Sequence, residues 1–205
     1  MMQSEKQAEN YENIIKRFQD WMAQAERTEP NDPNAICLAT VSREGRPSAR
    51  MVLLKAVDAE NHFVFYTNFK SRKARDLLDN PHAALTIHWK TTGKQIRIEG
   101  KVEQVTDSEA DTYFASRSYG SRIGAWASHQ SSPLENRAEL EDRYQKFETE
   151  FEGKEHIPRP DHWSGFRLIP DRIEFWQDGK YRLHHRELFT PSSEPGIWSK
   201  NLLNP

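Results

Sequence analysis

The segment Ala39–Leu77, ATVSREGRPSARMVLLKAVDAENHFVFYTNFKSRKARDL, constrains this chain more than any other. It reads as strand, turn, strand, turn, strand and then a helix start. Ala39–Val41 leads into a turn at Arg43–Pro47, where Glu44-Gly45 supplies the backbone freedom for reversal. Arg50–Lys55 is an apolar run bounded by two cations, and His62–Thr67 is rich in aromatic and β-branched residues. Ser71 suits the cap of a helix that stops at Asn80-Pro81.

Arg72 and Lys73 fall in the first turn of that helix, where the macrodipole disfavours cations. Two readings stand level on this window. A phosphate placed there would use the free backbone N–H groups and both side chains together. Alternatively, the helix start is simply basic and solvated, at a cost of roughly a few tenths of a kcal/mol.

Around this core the remaining elements are plain. Tyr11 to Arg27 has the apolar stripe of an amphipathic packing helix (Ile14, Ile15, Phe18, Trp21, Met22, Ala25), closed by the Pro-containing loop 29–33. Ala83–Trp89 and Gln95–Val105 read as strands joined through Gly93. The polar face of the second strand either meets solvent or aims Gln95 into a cleft. Thr106–Glu109 is a capping box opening a helix on which Tyr113 and Arg117 share a face, with Ser121 beyond a break at Ser118-Tyr119-Gly120. Those three side chains would make a phosphate cradle if they converged, although an ordinary helix surface is the simpler reading of the residues alone.

A further helix is expected from Ser132-Pro133 to about Glu152, with Leu140, Tyr144, Phe147 and Phe151 on its packing stripe. After a linker, Gly165–Ile169 reads as a strand. Arg172–Gln177 and Lys180–Phe189 then flank Asp178-Gly179 as a two-residue hairpin. In that hairpin Arg182, His184 and Arg186 share one face of the second arm, and Trp176 pairs with Tyr181 and faces away from them. The organisation expected is an N-terminal helix over 1–30, a core over 31–160 and a C-terminal hairpin region over 161–205 of the same domain.

Composition excludes several function classes. A net charge of −2 gives no drive towards nucleic acid or anionic membrane, so any basic site is local. No apolar run reaches membrane-spanning length, and the first ten residues lack the pattern of a signal peptide, so a cytoplasmic setting is expected. Cys37, the single cysteine, permits no disulfide and reads as an inert buried thiol. His62, His82, His88, His129, His156 and His162 show no metal-ligand spacing. The chain is polar overall, with 36% hydrophobic residues, yet holds six Trp and ten Phe, a hint that some apolar surface is covered by a second subunit.

Four motifs, SARMVLLK, FVFYTNFKSRKARDL, RSYGSRIGAWASHQSS and IEFWQDGKYRLHHR, resemble in content and order those of the pyridoxine/pyridoxamine 5′-phosphate oxidases. The similarity runs from about Pro33 to Arg186. It implies a mainly β fold with flanking helices (α+β), a six-stranded antiparallel split β-barrel that binds FMN between the subunits of a homodimer. It also implies oxidation of pyridoxamine and pyridoxine 5′-phosphates to pyridoxal 5′-phosphate, with dioxygen as electron acceptor and hydrogen peroxide as product. Carried over by position, FMN contacts fall on Arg50, Met51, Val52, Leu53, Leu54, Lys55, Tyr66, Thr67, Arg72, Lys73, Gln95, Gln130, Ser131, Trp176 and Arg186. Substrate contacts fall on Lys55, Tyr113, Arg117, Ser121, Arg182, Leu183 and His184, with Arg182 and His184 the catalytic pair.

Strand parity already strains a one-chain site. Arg50 and Lys55, an odd number of residues apart, point to opposite faces of a regular strand. The chain also departs from the family pattern. Met1–Asn13 has no match to an Arg–x–x–Tyr lid element. His185 stands where Asp is usual, Leu202 where Arg is usual, and Lys94 replaces an Arg. Two alternatives therefore accompany the oxidase: a related split-barrel flavoenzyme acting on another ring, such as a phenazine precursor, and a non-catalytic protein that binds FMN or pyridoxal phosphate.

Overall fold

In the computed structural model, which describes residues 7–205, the strand β7 (Trp163–Gln177) turns a sheet into a barrel by pairing on two sides. Its first part lies along β4 (Phe63–Asn68), from Asn68↔Trp163 to Phe63↔Leu168. From Phe166 to Gln177 it runs along β6 (Lys94–Gln104). Between these partners stand β3 (Pro47–Val57), β2 (Ala35–Val41) and β5 (His82–Trp89), so six antiparallel strands close in the ring β7-β4-β3-β2-β5-β6. The expected six-stranded antiparallel barrel is therefore present. Beyond β7 the sheet continues through β8 (His185–Pro191) and β9 (Ile197–Leu202) to β1 (Gln7–Asn10).

Closure between β6 and β7 depends on one glycine. The register shifts at Glu99/Gly100 opposite Pro170, which has no N–H to give the ladder. A Cβ on Gly100 would fall 2.0 Å from the carbonyl oxygen of Ile169, so no other residue fits.

Period-2 burial fills the barrel. Ile36, Leu38 and Thr40 of β2 face inward, as do Ala83, Leu85, Ile87 and Trp89 of β5. The helix α1 (Tyr11–Thr28) lays Ile14, Ile15, Phe18 and Ala25 on this core, with Phe18 edge-on to Phe63 at 5.1 Å. Each large apolar side chain so buried contributes about 1.5–3 kcal/mol. A second cluster, around Phe114, Ile123, Phe151 and Trp163, lies under α3 (Asp107–Ser116), α4 (Tyr119–Ala127) and α5 (Arg137–Phe151). α2 (Arg72–Asp79) packs on the barrel through Ala74 and Leu77.

Several sequence expectations need correction. Asp178-Gly179 is not a two-residue hairpin turn. Gln177 pairs with His185, so residues 178–184 form a seven-residue loop containing a 3₁₀ turn at Lys180–Arg182. Trp176 consequently pairs with Arg186 rather than Tyr181, and Arg182 lies in the loop rather than on a strand face. The two short strands expected over 165–177 are one strand bent at Pro170. Ser118-Tyr119-Gly120 does end one helix but starts another, α4, and α5 begins at Arg137, behind the cap Asn136 whose side chain accepts from the Glu139 N–H, rather than at Ser132-Pro133. Cys37 is half-buried, because it alternates with the inward-facing Ile36 and Leu38.

The stretches read for a leader and for a lid begin in residues 1–6, outside the described residues. No described helix is long and apolar enough to cross a membrane.

Candidate functional site

A cleft of about 650 Å³ opens where β3 and β4 meet α4 and the start of β7. Its floor is a run of parallel rings. Tyr66 stacks on Tyr113 at 4.1 Å and on Trp163 at 5.4 Å, and the Arg117 guanidinium lies over Trp163 at 4.8 Å. Tyr66 is aimed here by alternation along β4, while Tyr113 and Arg117 come from the last turn and C-cap of α3.

At one end of the cleft sits Lys73, only 8% exposed. Its ammonium donates to three neutral oxygens: Gln130 Oε1 at 2.8 Å, Thr67 Oγ1 at 3.0 Å and Ser71 Oγ at 3.1 Å. Desolvation, reinforced by the nearby positive charge of Arg50, lowers its pKa from the ordinary 10.5 to about 8. Ser71 does stand at the N-cap of α2, but its hydroxyl is turned to Lys73 and makes no cap bond. The first N–H groups of the helix are thus not capped by Ser71.

Arg50 approaches the same corner from the opposite face of β3. Its guanidinium donates to Thr40 Oγ1 at 2.8 Å, Ser48 Oγ at 2.6 Å and Leu38 O at 3.1 Å, and stands 3.9 Å from Asp76. Burial, and then the neighbouring Arg72, depress its pKa against the opposing pull of Asp76. Arg50, Arg72 and Lys73 therefore form one cationic corner. Met51, Leu53 and Lys55 point the other way, into the cleft, and the β3 register shifts between Leu54 and Ala56, at Lys55.

Across the cleft, the structure brings Tyr113, Arg117 and Ser121 together on one wall. Burial lowers the Arg117 pKa, and its Nη1 is a buried donor without a hydrogen-bond partner. A group of that kind calls for an acceptor supplied from outside the chain. Ser118, which donates to Ser121 at 2.9 Å, and Trp163 also line the cleft. Neither was legible beforehand, since a serine before a tyrosine and a tryptophan at a strand start have no pattern of their own.

The other expected residues gather elsewhere. Trp176 is paired with Gln95, its ring lies 4.6 Å from that of His184, and Arg182 and Leu183 occupy the adjoining loop. Arg186, paired with Trp176, donates to the buried Glu174 at 2.7 Å. Trp163 and Trp176 mark opposite ends of β7, thirteen residues apart, roughly 40 Å measured along the strand. The expected residues thus fall into two separate groups on one chain. Leu54 is buried in the core, and Ser131, with φ 67°, adjoins Gln130 at the surface. Asp58, Glu60 and His62 bring possible ligand atoms within 4.8 Å of one another, but Asp58 is already taken by Arg167 at 3.0 Å.

The loop 178–184 is itself unusual. Tyr181 and Arg182 are consecutive non-glycine residues with φ of 57° and 66°, each at a cost of order 1 kcal/mol. Tyr181 and Leu183 are 92% and 70% exposed, so the loop thrusts two apolar side chains outward.

Comparison with known proteins places these features in context. Residues 22–151 match the family profile described as pyridoxamine 5′-phosphate oxidase, and residues 163–205 match the pyridoxine 5′-phosphate oxidase C-terminal dimerisation region. The pyridoxine/pyridoxamine 5′-phosphate oxidase of Rhodospirillum rubrum is 55% identical over 192 residues, covering 92% of this chain and 94% of that one. Its namesake from Gluconobacter oxydans is 57% identical over 173 residues, covering 84% and 86%. Among solved structures, PhzG from Burkholderia lata 383, in complex with tetrahydrophenazine-1-carboxylic acid, superposes with a TM-score of 0.85 at 31% identity, covering 94% and 92%.

Proposed function

The chain belongs to the pyridoxine/pyridoxamine 5′-phosphate oxidase family, and from that premise we propose that it oxidises pyridoxamine and pyridoxine 5′-phosphates to pyridoxal 5′-phosphate as an FMN-dependent homodimer. The observation that carries this reading is the buried Lys73 ammonium, held by three neutral oxygens and set beside Arg50 and Arg72. A buried cation so placed is poorly compensated by the protein alone and is matched by an incoming phosphate. The donor set therefore fits FMN. Lys73, Arg50, Arg72 and the α2 N–H groups would take its phosphate, and Thr67 and Gln130 would lie beside it.

FMN held there would supply two-electron acceptor chemistry for the substrate's reacting carbon, with dioxygen as the final acceptor and hydrogen peroxide as product. The chain's own residues bind and orient. Arg117, Tyr113, Ser121 and Lys55 hold the substrate phosphate, with the unpartnered Arg117 Nη1 as the strongest single donor. Arg182 and His184 orient the substrate's ring and its reacting side arm. Because the two partial sites lie at opposite ends of β7, Gln95, Trp176, Arg182, His184 and Arg186 serve the cleft of a second copy. Residues 161–205 act as the dimerisation region, and the exposed Tyr181 and Leu183 are covered on assembly.

The likeness to PhzG favours a second reading, a phenazine-type ring as substrate. The Tyr113, Arg117 and Ser121 set, read as a phosphate cradle, weighs against it. Purified protein should be yellow and should release peroxide from pyridoxamine 5′-phosphate in air. A yellow protein inert to that substrate rejects the oxidase reading, and a colourless one that takes up no added FMN rejects the flavoprotein reading altogether.

A further inference from the structure

Asp76 is an acid set among cations. It lies buried on α2, three residues after Lys73, and its carboxylate stands 3.9 Å from Arg50. A negative charge in this corner repels an incoming anion, so its place there needs another reason. The Thr40 hydroxyl supplies one. Thr40, buried on β2, donates its hydrogen to Asp76 Oδ2 at 2.7 Å and accepts from Arg50 Nη1 at 2.8 Å. A guanidinium only donates, so the hydrogen of the hydroxyl is left for the carboxylate.

Arg50 is gripped at two further points. Nη1 also donates to Leu38 O at 3.1 Å, and Nη2 donates to Ser48 Oγ at 2.6 Å. Leu38 pairs with Arg50 and Thr40 pairs with Ser48, so all four residues come from two rungs on one face of the β2–β3 ladder. These bonds leave Nε and part of Nη2 without a partner among the described residues. A free arginine gives up much side-chain freedom when it grips a ligand, and one fixed beforehand gives up less.

On the reading of this corner as the phosphate site of FMN, we infer that Thr40 and Ser48 are positioning residues. Their hydroxyls hold the Arg50 guanidinium so that its remaining donors meet the flavin phosphate beside Lys73, and Asp76 keeps the Thr40 hydroxyl turned the right way. Their effect is then confined to flavins that carry the phosphate. Residues that merely pack α2 on the barrel would weaken every flavin alike.

Fluorescence titration of the flavin-free full chain with FMN and with riboflavin, which lacks only the phosphate, gives the preference for the phosphate as a ratio of affinities. In Thr40→Val and in Ser48→Ala that ratio should fall about three- to tenfold, with riboflavin affinity held within about twofold. Thr40→Ser should restore most of the loss. Arg50→Met should lower the ratio further, and Thr40→Val added to it should change the ratio by less than about twofold. Ser48 lies outside the buried core, so Ser48→Ala decides the matter if Thr40→Val does not fold. An unchanged ratio in either variant, equal losses for both flavins, or full additivity with Arg50→Met overturns the inference. A wild type that binds FMN no better than riboflavin overturns the phosphate reading of the corner itself, and the positioning role with it.

Discussion

The Lys73 ammonium donates at 2.8 Å to the amide oxygen of Gln130, fifty-seven residues away in sequence. That bond ties the start of α2 to the loop after α4 and encloses a cation between them. Replacing Lys73 with Met should remove a charge-assisted contact of about 1.5–3 kcal/mol to a bound phosphate. FMN affinity should then fall on the order of 10- to 100-fold. Fluorescence titration of the ligand-free protein measures it, and an unaltered dissociation constant would place the flavin phosphate elsewhere.

The same lysine gives a pH dependence. Its pKa in the ligand-free fold is about 8 against an ordinary 10.5, and a bound phosphate favours the charged form. Binding between those values takes up a proton, so FMN affinity should be flat just below pH 8 and weaken above it. Stability of the ligand-free protein runs the other way. Between pH 8 and 10.5 the unfolded chain holds the extra proton, so this group's contribution rises with pH across that window. In Lys73→Met both trends should vanish.

Arg117→Ala should raise KM for pyridoxamine 5′-phosphate by on the order of 10- to 100-fold. FMN content should be retained and kcat less affected, because Arg117 is assigned to holding the substrate phosphate. Arg117→Lys should recover only part, since an ammonium keeps the charge and loses the planar fork that lies on Trp163. Steady-state kinetics on the flavin-loaded variants decide this, and a loss confined to kcat would contradict the assignment.

Gly100→Ala tests the barrel seam rather than the chemistry. With Ile169 O at 2.0 Å from the new Cβ, β6 and β7 must separate locally, at a cost of about 3 kcal/mol. Tm should fall by roughly 10 °C. A variant melting with wild type would mean that the β6–β7 register is not as described.

Parts of this were legible in the sequence because they depend on local chemistry. Arg72 and Lys73 are placed at a helix start by the Ser71 signal just before them, and Tyr113 four residues before Arg117 is a spacing that helix geometry converts directly into a shared face. The hairpin was not legible. Asp178-Gly179 carries the strongest short turn signal in the chain, yet β7 ends at Gln177 and the next pairing waits for His185. The pairing of β7 with β8 and the left-handed Tyr181 and Arg182 override the local preference there. α4 was hidden for the opposite reason: Gly120 and Gly124 disguise a helix whose burial of Ile123 and Ala125 against the second core stabilises it. β1 pairs only with β9, at the other end of the sequence, which no window of residues reveals.

The central claim is that each working site draws Lys73, Tyr113 and Arg117 from one copy and Arg182 and His184 from another. Mixing two defective chains tests it most directly. Arg117→Ala and Arg182→Leu should each be poorly active as homodimers, the second keeping its FMN. Refolded together, the heterodimers hold one site with both substitutions and one with neither, so activity should return to about a quarter of wild type. Activity no higher than that of the separate variants would show that each site is built from a single chain.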